Sequence, residues 1–365
     1  MDSKQYLVYP KKILISYLES YSIAFQLQEA FELLGIKTEL FITCQNNHWF
    51  YKRVIKPINK FARNLRLVKK GYDFFPNHSL NRLNYLSSSF KKKYETFEPD
   101  LVLFIHGIAY ANEILTEINV PKIGWWTEPD DDINLLRINA KPFDLYNSFS
   151  QKAIDLLNSE GLPANYLCHA FNPKSFYKID NCIQDIDVVF VGNWSPWRED
   201  VIKKVLSVTK NISLYGPGWM TKSNLSYRDL CRIYKGTKIV GTELNRLFNS
   251  AKIVVNASRN YGCSGLNMRF FEVPASGSCF LTDWAPELER HFIPEQHISV
   301  YSDLDDLGLK IVQLLQNSDL RNDIGTSGFN HVAKSYTYEK LANQLLIQYK
   351  GLVTLGAASK VIIRL

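Results

Sequence analysis

Paired cysteines, long apolar runs and an even spread of charge are all missing from this 365-residue sequence. Its six cysteines (Cys44, Cys168, Cys182, Cys231, Cys263 and Cys279) stand far apart, and no CxxC pair occurs. That speaks against a zinc site and against a disulfide framework, and fits reduced thiols in a cytosol. The longest apolar runs, around Ile253–Val255 and Val361–Ile363, fall far short of the ~20 residues a membrane-spanning helix needs. Residues 1–12 hold no apolar stretch resembling a secretory signal. Acids are nearly absent between Tyr51 and Tyr94: twelve basic residues face the single acid Asp73. The chain's net charge is +7, so this segment outweighs it and leaves the remainder net acidic. Such a concentration predicts an anionic partner, whether acceptor, membrane surface or nucleic acid; a well-solvated pair of surface helices is the plainer reading.

Apolar residues make up 46% and charged residues 22%, ordinary globular values with enough chain for two cores. Strand-like runs at Lys12–Tyr17, Thr38–Thr43, Leu101–Ile105, Lys122–Trp126 and Asp144–Phe149 alternate with helical patterns. Those helices fall at Ile23–Leu34, Ala111–Glu117 and Gln151–Ser159. In the basic segment Val54, Ile55, Ile58, Phe61, Ala62 and Leu65 share one helical face, and Pro57 starts or kinks that helix. The stripe is expected to pack on the sheet and leave the cations outward. The pattern breaks at Phe171-Asn172-Pro173. A second block follows, with strands at Asp187–Val191, Ile212–Tyr215, Lys252–Asn256 and Ser278–Thr282, and ends in helices at Leu304–Gln316, Leu320–Ser335 and Tyr338–Tyr349. Strands alternating with helices imply an α/β protein of two facing Rossmann-like domains with parallel sheets. The expected divisions are 1–180 for the first domain, 181–335 for the second, and 336–365 for a helix and tail packing back on the first.

Ligands of open parallel sheets bind beyond the carboxyl ends of the strands. After Val191 comes Gly192-Asn193-Trp194-Ser195, a turn opening a helix that carries Arg198. After the next strand comes Tyr215-Gly216-Pro217-Gly218, a loop that lets backbone approach a flat ligand closely or serves as plain turn chemistry. The most informative stretch is Ser258–Asp283. It places a glycine-bearing loop before a helix expected to start near Gly265, where backbone amides suit a pyrophosphate. Arg269 and Glu272 stand three apart on nearly one face. The carboxylate can accept both hydroxyls of a ribose while the arginine takes phosphate oxygens. A surface ion pair, worth at most about 1 kcal/mol, is the plainer alternative. In the first domain His106 ends a buried strand, and Glu128 and Asp130 follow the next one. These three are the candidate catalytic groups, as acids, bases or sugar ligands.

The run GLNMRFFEVPASGSCFLTD, with DVVFVGNWSPWRED and ISLYGPGW before it, resembles the CgeB-like (spore-maturation-type) glycosyltransferases, a branch of the two-domain GT-B enzymes. The likeness covers about Asp185–Tyr349. It implies transfer of a sugar from a nucleotide-diphosphate sugar, a UDP-sugar foremost, to an unidentified acceptor, with retention of configuration and no metal or other cofactor. Glu272 is similar to the family's ribose-binding glutamate, the second acid of an E-x7-E pattern whose first position holds Ser264 here. Many relatives hold the diphosphate with an Arg and a Lys just after the first strand of the second domain; Gly192-Asn193-Trp194 has no such arginine, and Arg198, Arg259 and Arg269 are expected in its place. Gly192, Asn193, Tyr215, Gly216, Gly265 and Asn267 are the implied surroundings of the nucleotide. The readings set beside this are a non-catalytic GT-B-like binding or surface-assembly protein and a glycosyltransferase acting on nucleic acid. A cytoplasmic protein, peripheral at the membrane, is the expected location.

Overall fold

The computed structural model describes residues 9–18, 22–69, 75–105, 110–128, 133–258 and 265–362, the side chains of 22, 112, 133 and 356–362 excepted. The first sheet takes β1 (Lys12–Tyr17), β2 (Lys37–Ile42), β3 (Leu101–Ile105), β4 (Lys122–Trp126), β5 (Leu145–Ser148) and β6 (Ala164–Tyr166). The second takes β7 (Ile186–Val191), β8 (Ile212–Tyr215), β9 (Tyr234–Gly236), β10 (Ala251–Asn256), β11 (Phe280–Asp283) and β12 (Ser299–Tyr301). Their orders are β2-β1-β3-β4-β5-β6 and β12-β11-β10-β7-β8-β9, every pairing parallel. β6, β9 and β12 have only three residues each, too few for a periodic signal to stand out in the sequence.

Parallel strands covered on both faces must be apolar throughout, and Leu101–Ile105 is buried at every position. In each sheet the strand order reverses beside the first strand. The second sheet therefore has its switch point between β7 and β10, where ligands of such sheets enter.

The chain passes into the second core at Phe171 and Phe176. It returns at Thr337, which forms a parallel bridge with Phe171. The long last helix, Tyr338–Ile362, then lays Tyr338, Leu341, Ala342, Leu345, Leu346 and Tyr349 into the first domain's core, beside residues of β1 and β3. Asn147 and Gln348 fasten it further by exchanging two side-chain hydrogen bonds of 2.9 Å.

Two expectations need correction. The helix awaited near Gly265 begins at Arg269 and runs only to Ala275. Gly265 is instead pressed against the first domain: a Cβ there would lie 2.0 Å from the Phe149 carbonyl oxygen. The apolar stripe of the basic segment is also split. Within the Lys56–Asn64 helix and its flanks, Ile55, Asn59 and Ala62 turn inward, whereas Ile58, Phe61 and Leu65 face water. One helix can turn only one arc to its support, and the 55, 59, 62 spacing takes that place.

Candidate functional site

At the β7 end, two loops are locked to one another by backbone. Gly192 N donates to Tyr215 O at 2.9 Å, and Trp194 N donates to Pro217 O at 2.9 Å. Gly216 N reaches Gly236 O at 2.9 Å, and the Trp219 indole donates to Gly192 O at 2.8 Å. Gly216 has a φ of +138°, and a Cβ on it would sit 2.0 Å from Gly192 O. Its glycine character is thus required by loop-to-loop packing.

Arg198 stands directly beneath this turn and is buried. Its Nε donates to Ala257 O at 3.1 Å and its Nη1 to Asn193 O at 2.9 Å. The guanidinium therefore ties the β7 turn to the end of β10 across the switch point. Two of its donors thus serve carbonyls that a buried turn must satisfy. Nearby, Glu199 accepts from the Trp194 indole at 2.7 Å and from Asn224 N at 3.0 Å, and pairs with Lys203 at 2.9 Å. Burial alone would raise its carboxyl. The hydrogen bonds from Trp194, Lys203, Asn224 and Ser223 outweigh that and hold it at about 2.

At the end of β11, Asp283 is fully buried. It accepts Ser258 N at 2.7 and 3.0 Å, the Ser258 hydroxyl at 2.7 Å and the Trp197 indole at 3.3 Å. Asp283 thus sets the direction in which the chain leaves β10. Sequence reading gave it no role, although a charge closing the apolar run Cys279–Leu281 was a legible signal.

The Arg269–Ala275 helix opens with Asn267 Oδ1 accepting Arg269 N at 3.0 Å. Arg269 Nη1 and Glu272 Oε2 form a close ion pair, and the guanidinium carbon lies 5.8 Å from the Phe248 ring centre. Glu272 is only 5% exposed, so the pairing relieves a charge that burial would otherwise penalise. Its neighbourhood belongs to both domains. Burial lifts the Tyr338 phenol well above its ordinary value, and the negative charge of Glu272 and the nearby Tyr17 of β1 add to the rise. The buried Tyr338 hydroxyl has no hydrogen-bond partner among the described residues. Met268 packs against the first domain's core. Glu272 and Gly265 therefore both sit at the seam between the sheets.

On the first domain's side, Glu128 is exposed just beyond β4. His106, Asp130, Arg259 and Ser264 lie outside the described residues. A histidine that sequence reading passed over stands at the seam: His169 is buried against Phe149 and Trp125, with ring centres 4.8 and 5.8 Å away. Burial pushes its pKa down to about 4, so the ring is neutral at physiological pH, and Nδ1 lacks a partner among the described residues. Nothing in the local pattern Cys168-His169-Ala170 distinguishes it, since tertiary packing alone places it there. Among the described residues no cluster of three or more His, Cys, Asp or Glu is placed to hold a metal ion.

Residues 192–347 match the family model described as glycosyl transferase-like. That span holds the Gly192 turn, the Arg269–Glu272 pair and most of the last helix's packing face. No curated protein matches the chain in sequence. Among solved structures, sucrose-phosphate synthase from Thermosynechococcus elongatus is similar with a TM-score of 0.65 and 14% identity, over 94% of this chain and 100% of that one. Anabaena HepE in complex with UDP-glucose gives 0.64 and 11%, over 93% and 99%. A glycosyltransferase from Rickettsia africae gives 0.62 and 9%, over 94% and 99%. At such identities the likeness speaks for the fold, which is GT-B. The fold is thus that of the GT-B type, and within it residues 192–347 are similar to the glycosyl transferase-like family.

Proposed function

We propose that this chain moves a sugar from a nucleotide-diphosphate sugar, UDP-glucose or a relative, to an acceptor held by the first domain. The observation that carries this reading is the glycosyl transferase-like module itself, whose Arg269–Glu272 pair stands at the seam facing the other sheet. The binding of UDP-glucose by HepE, a protein of the same fold, supports the choice of donor. The run from Gly265 to Asp283 favours the CgeB-like branch.

Glu272 takes the ribose hydroxyls and Arg269 the phosphate oxygens. The internal ion pair opens as the donor supplies each partner with a replacement, two hydroxyls for the guanidinium and a phosphate for the carboxylate. Arg198 acts one layer further in, holding the Gly192 turn and the end of β10 in register. The diphosphate's charge is met by side-chain and backbone donors, and no divalent ion is required. Glu128, His106 and Asp130 remain the acceptor-side candidates, and closure of the two domains excludes water from the reaction.

Incubation with labelled UDP-sugars tests the reading by following release of UDP and transfer of label. Turnover should persist in EDTA. Failure to bind any nucleotide sugar overturns the function, and activity lost on chelation but restored by Mg²⁺ overturns the metal-free part alone.

A further inference from the structure

The basic segment has a surface the donor reading does not use. Ile58, Phe61 and Leu65, at i, i+3 and i+7, share the outward arc of the Lys56–Asn64 helix. Phe61 is 65% exposed, and Trp49 and Leu67, at either end of the same segment, are 65% and 67% exposed. Single exposed apolar residues are ordinary, but five large ones within one short surface segment indicate something that covers them. Beside them Lys52, Arg53, Lys56, Lys60, Arg63, Arg66 and Lys69 are all exposed. None of these seven makes an ion pair with any described residue. Further along, Lys91 is paired with Glu117 and Lys93 with Glu39. The unneutralised charge is therefore concentrated where the apolar side chains are.

We propose that the segment from Trp49 to Lys69 docks this protein onto an anionic lipid bilayer. Headgroup phosphates meet the cations, while Phe61, Leu65 and their neighbours enter the boundary of the acyl chains. Nucleic acid would satisfy the cations but offers nothing to the outward arc of Ile58, Phe61 and Leu65. A bilayer interface answers both kinds of side chain at once. Attachment is peripheral, because among the described residues no helix is long and apolar enough to cross a membrane.

The test is co-sedimentation of the full chain with vesicles of phosphatidylglycerol and phosphatidylcholine, beside vesicles of phosphatidylcholine alone and beside retention on double-stranded DNA. Of the two kinds of vesicle, only the anionic one is expected to bind. Near the surface a cation contributes about fivefold in affinity, so K56Q/K60Q should weaken vesicle binding roughly 25-fold. F61S/L65S should weaken it roughly tenfold or more while leaving DNA retention as it was. All these side chains are exposed, so an unchanged melting temperature is expected to show that the variants fold. The proposal is overturned if the chain ignores anionic vesicles. It is equally overturned if F61S/L65S binds them as well as the original chain, since the cations would then be acting on any polyanion.

Discussion

Glu272 is the residue on which the functional reading turns. An unpaired carboxylate buried among Phe270, Phe271 and Val273 would be expensive, and the Arg269 guanidinium, three residues earlier, removes that cost. In the function we propose, the same pairing would make Glu272 an acceptor for ribose, since exchanging a guanidinium for two hydroxyls leaves no charge stranded if a phosphate receives Arg269. E272A should therefore weaken UDP binding by roughly 1.5–3 kcal/mol, about tenfold to over a hundredfold, as a hydrogen bond to a charged group would. Calorimetric titration of UDP measures this directly, and E272Q, which keeps the volume, controls for local collapse around Arg269. Unchanged affinity in both variants would show that the carboxylate serves only the internal pair. The Arg269–Glu272 relation was legible because i, i+3 spacing dictates proximity on a helix. The role of Arg198 was not, because its partners, Asn193 O and Ala257 O, come from two strand ends far apart in sequence.

Among the elements, the Pro196–Val208 helix shows how local chemistry steadies the site. Its start is capped by Ser195, whose hydroxyl accepts Arg198 N at 3.3 Å, and Glu199 places a negative charge in the first turn. Glu199 also gathers the Trp194 indole and Asn224 N, joining the turn after β7 to the loop before Tyr227. Its carboxyl is held at about 2, below an ordinary 4.5, so ionised Glu199 stabilises the folded chain above pH 4.5. That contribution falls away as the pH drops through about 2. E199Q should accordingly melt below the original chain at neutral pH, and the gap should narrow below pH 4.5 and close near pH 2. Melting curves across that range measure it, and a gap independent of pH would mean that packing, not charge, is what Glu199 supplies. By contrast, the short Arg269–Ala275 helix departs from the sequence reading at its start. Gly265 looked like a helix opening because glycine often marks one. In the fold its missing side chain is what lets Phe149 of the other domain approach.

For the molecule as a whole, the last helix decides how the two sheets are held. It follows the second domain in sequence, yet Leu341, Leu345 and Leu346 complete the first domain's core against Ile13, Leu103 and their neighbours. L345A should cost about 2–5 kcal/mol, as other buried leucine truncations do. Hydrogen exchange should show the loss as faster exchange in β1 and β3, with β10 protected as before. Faster exchange confined to the second sheet would contradict this arrangement. The sequence by itself determined the class of fold and the order of its elements. Apolar runs such as Leu101–Ile105 and alternating helices are local properties of the chain, and parallel sheets covered on both faces follow from them. It likewise determined the Arg269–Glu272 pairing and the concentration of cations between Tyr51 and Tyr94. Only the tertiary structure decided that Arg198 is a buried tie, that Asp283 directs the chain out of β10, and that His169 is neutral at the seam. It alone decided, too, which half of the basic helix faces water. Burial is a relation between segments distant in the chain, and a helix with two apolar arcs leaves to its support the choice of which one is covered.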